Sequence, residues 1–209
     1  IKFPGGLQPI DQTDINDVFV VGFPKSGNTL MQHVIAHLIY GLNYHASRSL
    51  VNLIIPDIYA NTHYFRFNTP CYFKSHELPN QRYRKVIYII RDGREALLSY
   101  YHMQQNMNVN IKLQDLYTGR LKIFNSEWHE HVEKWIENPF QAELLVLKYE
   151  ELKINKIGVL KRLCDFLNIE RSEEELLLVD RYTSLDHMKN LENREDWKNM
   201  KKGKFRKGK

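Results

Sequence analysis

Residues 18–35, VFVVGFPKSGNTLMQHVI, pass from an apolar run through a short polar loop into a helical pattern without a break. A buried strand, a tight turn and a helix in that order set a helix start at the end of a strand. The N–H groups there have no internal partners and sit at the positive end of the macrodipole, so the main chain itself can hold an anion. Lys25 adds a full charge, Ser26 and Thr29 add hydroxyls, Asn28 adds a polar side chain, and Gly27 lets a ligand approach the backbone closely. This is a P-loop-like phosphate cradle. It is not a Walker A loop, which needs a glycine, four spacers and then Gly-Lys-Ser/Thr, because here Lys25 precedes Gly27. An ordinary strand-to-helix turn with a surface lysine is the plain structural alternative.

Three more segments join it in order along the chain. Cys71-Tyr72-Phe73-Lys74-Ser75-His76-Glu77-Leu78-Pro79 reads as a short apolar strand that ends in a lysine and a histidine before a proline turn. Residues 86–102 form an apolar strand, then Arg91-Asp92-Gly93, then a helix carrying Ser99. The C-terminal Lys204-Phe205-Arg206-Lys207-Gly208-Lys209 is a basic cluster of a kind that is usually solvated.

Together these resemble the sulfotransferases that use 3′-phosphoadenosine 5′-phosphosulfate (PAPS), of the cytosolic type. Residues 24–29 match that family's Pro-Lys-Ser-Gly-Thr-Thr phosphosulfate loop, and Lys74-Ser75-His76-Glu77-Leu78-Pro79 resembles its Lys-Thr-His-Leu-Pro segment. The resemblance implies that Lys25, Ser26, Gly27, Asn28, Thr29 and Leu30 hold the donor, and that Arg91 and Ser99 hold its 3′-phosphate. It places Tyr149, Thr183 and Leu185 near the adenine, and Arg206, Lys207 and Gly208 over the 3′-phosphate. His76 is then the general base that takes the acceptor proton, Lys25 stabilises the leaving phosphate, and Lys74 neutralises the sulfuryl oxygens. The product is adenosine 3′,5′-bisphosphate (PAP), and no metal is required. Three positions depart from the pattern: Asn28 replaces a threonine, and Leu30 and Leu185 stand where a tryptophan and a phenylalanine commonly flank the adenine.

The 209 residues suit one domain, expected to be a single sulfotransferase domain over 1–209 whose C-terminal Arg-Lys-Gly segment is incomplete. Apolar strands alternate with helical patterns, which predicts a three-layer α/β/α fold with a central, mainly parallel sheet and ligands at the carboxyl ends of the strands. Leu30, Met31, Val34, Ile35, Leu38 and Ile39 predict one buried helix face. Phe124, Trp128, Val132, Trp135 and Ile136 predict another helix, ended by Asn138-Pro139, whose aromatics read as core. Leu144 to Leu147 predict an inner strand, as does the segment holding Cys71, and Ser172 with Glu175 predicts a capping box. Two cysteines, Cys71 and Cys164, suggest neither a metal site nor an oxidising compartment.

No apolar run reaches the roughly 20 residues of a membrane span, and the N-terminal residues do not read as a signal peptide, so a cytoplasmic protein is expected. The net charge of +5 suits a polyanionic donor as well as it suits a generally basic surface. No nucleic-acid partner is expected. The acceptor is expected to be a hydroxyl on a small molecule or glycan, because this base favours a hydroxyl over an amine. Tyr44, His45, Tyr59, Tyr64, Phe65, Phe67 and residues 102–105 are candidates to line its pocket. A homodimer stays open as a further partner. Two rival readings remain at this level: a phosphotransferase using a nucleoside triphosphate with Mg²⁺, for which Asp92 is the obvious acidic ligand, and an inactive nucleotide-binding module.

Overall fold

The computed structural model describes residues 6–42, 44, 46–124 and 126–188. In chain order the elements are β1 (Gly6–Pro9), β2 (Val18–Gly22), α1 (Asn28–Tyr40), α2 (Arg48–Ile54), β3 (His63–Arg66), β4 (Tyr72–Ser75) and β5 (Lys85–Ile90). They continue with α3 (Gly93–Asn106), α4 (Leu113–Tyr117), α5 (Trp128–Glu137), β6 (Glu143–Lys148), α6 (Glu151–Ile154), α7 (Lys156–Leu167) and α8 (Glu173–Tyr182).

Four strands form a parallel sheet in the order β4-β2-β5-β6, and β1 pairs antiparallel with β3 beside it. A parallel sheet is covered on both faces, so its strands read as unbroken apolar runs. Alternate residues then divide between two cores. Val18, Val20, Ile87, Ile89 and Leu147 pack with α1, α7 and α8, while Phe19, Val21, Val86 and Tyr88 pack with Phe73, Tyr83 and Trp135 of α5. The expected three layers are present. A third, smaller core of Phe23, Ala96, Leu116 and Ile123 joins the first loop to α3 and α4.

Four expectations need correction. α1 does not show one buried face: Gln32, His33, Ala36 and His37 are buried along with the apolar stripe, because α2 and α8 cover the side away from the sheet. Its C-terminal carbonyls are met by Arg171, whose Nε donates to Leu38 O at 2.8 Å. β6 is an edge strand of the described sheet, and Cys71 lies just before β4, the opposite edge. α5 begins only at Trp128, with Phe124 outside it in a left-handed conformation (φ 52°) and Ile136 on its exposed side. The helix does end at Asn138, which takes the left-handed cap position. The Ser172–Glu175 capping box is present, each side chain bonded to the other's backbone N–H.

Candidate active site

β2, β4, β5 and β6 end at Gly22, Ser75, Ile90 and Lys148, so Phe23 to Gly27, His76, Arg91 and Tyr149 emerge side by side along one sheet edge. Parallel strands deliver their following loops to the same edge, which is why segments far apart in sequence converge there.

The first loop leads into an uncapped helix start. Ser26 N donates to Phe23 O at 3.0 Å, and Lys25 and Gly27 both take left-handed backbone angles, φ 70° and 107°. A Cβ on Gly27 would lie 2.6 Å from the Tyr149 ring, so the loop and the strand-end tyrosine touch where only glycine fits. α1 starts at Asn28 without a side-chain cap and with no acidic residue in its first turn, leaving its positive end unneutralised. Ser26 is fully buried and its Oγ has no hydrogen-bond partner among the described residues. Lys25 Nζ reaches Met103 Sδ on α3 at 3.8 Å, and Thr29 is half-buried in the first turn of α1.

Arg91 Nη1 donates to Lys25 O at 2.9 Å, its guanidinium lies 4.5 Å from the centre of the Tyr149 ring, and its Nε and Nη2 contact Glu95 at 3.2 and 3.0 Å. It therefore ties the first loop to Tyr149 and to Glu95 on α3. Ser99 sits half-buried on α3. Trp128 Nε1 donates to Arg91 O at 3.1 Å, so α5 fixes the arginine's backbone as well.

His76 is tied to the loop. Its Nδ1 lies 2.8 Å from Gly22 O and 2.8 Å from Asn28 Nδ2, and Asn28 Nδ2 also donates to Gly22 O at 2.9 Å and Phe23 O at 3.3 Å. The two carbonyls take both protons of the asparagine amide, so Nδ1 carries its own proton toward Gly22 O and the lone pair falls on Nε2. Burial, with the Lys74 charge adding to it, lowers the His76 pKa to about 4, which keeps the ring neutral. His131 supports the same segment: its Nε2 donates to His76 O at 3.2 Å while its Nδ1 accepts from Tyr88 Oη at 2.8 Å. Trp135 Nε1 donates to Glu77 O at 3.0 Å.

Lys74 has an unexpected partner. Its backbone is near the end of β4, as the sequence predicts, but its Nζ is held in a 2.9 Å ion pair with Asp57, with side chains only 7% and 14% exposed. Burial pushes the Asp57 carboxyl up, but the Lys74 ammonium more than offsets this and holds it below the usual range. Asp57 had no motif to mark it. Nor had Phe124, whose ring centre lies 5.2 Å from that of His76 and 4.4 Å from that of Tyr59, giving the histidine an aromatic wall.

The residues expected around adenine are less assembled. Leu30 is 7% exposed and packed in the core, and Thr183 is buried with its Oγ1 bonded to Val179 O at 2.6 Å and its carbonyl to Lys156 Nζ at 2.7 Å. Leu185 is partly exposed, and Tyr149 lies against the loop. Of the acceptor-pocket candidates, Tyr64 belongs to the core and bonds Gln12 O, Phe65 and Phe67 pack on each other, and Tyr59 alone is placed beside Phe124 and His76 by a described ring contact. His45, Arg206, Lys207 and Gly208 lie outside the described residues. Among the described residues no cluster of metal-ligating side chains occurs, and no helix is long and apolar enough to cross a membrane.

A parallel α/β sheet whose strand β2 feeds a lysine-bearing loop into a helix, with a neutral histidine bonded to that loop, is an α/β fold with a P-loop-like loop. Residues 15–209 match the sulfotransferase domain family, and the chain belongs to it. It is 26% identical over 205 residues to the amine sulfotransferase of Oryctolagus cuniculus, covering 88% of this chain and 67% of that one. It is 36% identical over 110 residues to sulfotransferase 2A6 of Mus musculus, a match that spans 50% of this chain and 39% of that one. Its fold is similar to a mouse sulfotransferase complexed with PAP, at TM-score 0.65 and 23% identity over 86% of this chain and 69% of the other.

Proposed function

We propose that this chain transfers a sulfuryl group from PAPS to a hydroxyl of a small-molecule or glycan acceptor. The donor brings an activated sulfuryl group whose leaving oxygen belongs to a phosphate. Lys25 and the amides of Gly27, Asn28 and Thr29 hold that phosphate and neutralise the charge that grows on it. Arg91 and Ser99 take the 3′-phosphate, which is what separates this donor from an ordinary nucleotide. His76 Nε2 accepts the acceptor's proton as the new O–S bond forms and the electron pair of the old one passes to the phosphate oxygen. Lys74 turns its charge toward the sulfuryl oxygens only to the extent that Asp57 releases it.

The observation that carries this reading is the hydrogen bond of His76 Nδ1 to Gly22 O, which holds a neutral imidazole beside the first loop. Its donor half is tested by calorimetric titration with PAP and with ADP, each with and without Mg²⁺. Metal-independent binding of PAP well above ADP is the expected result. Preference for ADP with Mg²⁺ would overturn it in favour of a phosphotransferase.

A further inference from the structure

We infer that His131 of α5 is a positioning residue for the reaction: its ring N–H holds the backbone of His76 and so sets where the base points. That the residue held is the base rests on the proposed function, whereas the hold itself does not. β4 ends at Ser75, so His76 lies past the last ladder pair and its carbonyl has no strand partner. No backbone N–H among the described residues meets that carbonyl, and the donor it finds is His131 Nε2 at 3.2 Å. On the other side, Nδ1 of the His76 ring bonds Gly22 O at 2.8 Å. The residue is therefore held twice, by its ring from β2 and by its peptide from α5. Loss of the second hold lets the peptide rotate and carries the ring off the Gly22 carbonyl.

The hold belongs to a pattern on α5. Trp128, His131 and Trp135 fall on one helix face, and each donates a ring N–H to a carbonyl just past a sheet strand: Arg91 O at 3.1 Å, His76 O at 3.2 Å and Glu77 O at 3.0 Å. An indole has one N–H, but an imidazole can carry its proton on either nitrogen. Tyr88 decides which. Its Oη lies 2.8 Å from His131 Nδ1 and donates to it, so the proton stays on Nε2, the atom that faces His76. Tyr88 and His131 are both fully buried, with rings stacked at 5.7 Å, and burial lowers the His131 pKa to about 4, which leaves one ring proton to place. Phe23 of the first loop meets the His131 ring edge-on at 5.8 Å, so one side chain touches both the loop and the segment of the base. Space-filling alone would not select an imidazole here, because a buried polar ring must find partners that an apolar side chain does not need.

The test is long-range proton–nitrogen NMR of the imidazoles in the 209-residue chain near neutral pH, with the His76 signals assigned by their loss in His76→Gln. His76 should show a single tautomer, with the proton on Nδ1 and Nε2 bare. His131→Leu removes the donor and should move both nitrogens toward the average of the two tautomers. His131→Gln, whose amide still donates to His76 O, should keep them in place. Tyr88→Phe lets the His131 proton leave Nε2 and should move them part of the way; it decides alone if His131→Leu does not fold. Unmoved His76 nitrogens in the deciding variant, or an equal shift in His131→Gln, overturn the inference. With PAPS and an identified acceptor, His131→Leu should lower kcat about 10- to 100-fold with PAP affinity within about twofold, and His131→Gln should recover most of the loss. Unchanged kcat in His131→Leu would equally overturn it. The NMR measurement needs neither donor nor acceptor, so its outcome stands apart from that of the proposed function.

Discussion

Asn28 and His76, 48 residues apart, meet at 2.8 Å and share the Gly22 carbonyl. The pairing of β2 with β4 brings them together: Val21 lies opposite Ser75, so the residues that follow each strand face one another. The asparagine that stands where the family has threonine thereby bonds the same carbonyl that holds the histidine. Asn28→Ala should lower kcat by about 10- to 100-fold with a smaller change in the donor's KM, and His76→Ala should lower it by about 10²- to 10⁴-fold. Steady-state kinetics with an identified acceptor check both, and full turnover by His76→Ala would remove the histidine from the mechanism.

Three histidines whose pKa burial lowers make the fold sensitive to acid. Burial lowers His33, His76 and His131 to about 4 each, against about 6.5 in an unfolded chain. Between those values the unfolded state binds more protons, so stability is complete above pH about 6.5 and falls as the pH drops toward 4. Each group contributes a slope of about 1.4 kcal/mol per pH unit in that window. Thermal melts from pH 8 to 5 should show a falling Tm, and His33→Gln should flatten the slope by its own share. A Tm constant across that range would refute the assignment.

The Lys74–Asp57 pair is nearly dry. Asp57→Asn leaves an ammonium buried without its counter-charge and should cost about 3–5 kcal/mol in urea unfolding, whereas Asp57→Leu combined with Lys74→Met should recover most of it. If the single and double variants were equally unstable, the charge pair would not be what stabilises this corner.

Arg91 contacts Glu95 through the same nitrogens that a phosphate would use. Glu95→Gln should raise PAP affinity about two- to fivefold, the modest scale of a half-exposed pair. Arg91→Lys, which loses the parallel donors, should lower PAP affinity about tenfold or more and leave binding of adenosine 5′-phosphate nearly unchanged. Equal losses for both nucleotides would place the arginine somewhere other than the 3′-phosphate.

Gly27 combines a φ of 107° with a ring edge 2.6 Å from where a Cβ would stand. Gly27→Ala should cost about 1–3 kcal/mol and most of the PAP affinity, and adding Tyr149→Ala should return only the part due to the clash, because the backbone angle stays strained. Melting temperatures and titrations of the single and double variants separate the two causes.

The sequence by itself determined the two central strands, the first loop and the order of the motifs, whereas the β1–β3 pair and the edge places of β4 and β6 were not legible in it. The apolar runs at 18–21 and 86–90 each bury a whole strand, and a lysine-glycine loop entering a helix needs only contiguous residues to be recognised. Tertiary structure alone decided that Asp57 holds Lys74, that His131 and Trp135 brace the backbone of residues 76 and 77, that Phe124 walls His76, and that α1 is buried all round. None of these follows from local spacing. They arise because strand order sets which loops become neighbours, and because a buried polar group must bond to whatever partner that order places beside it.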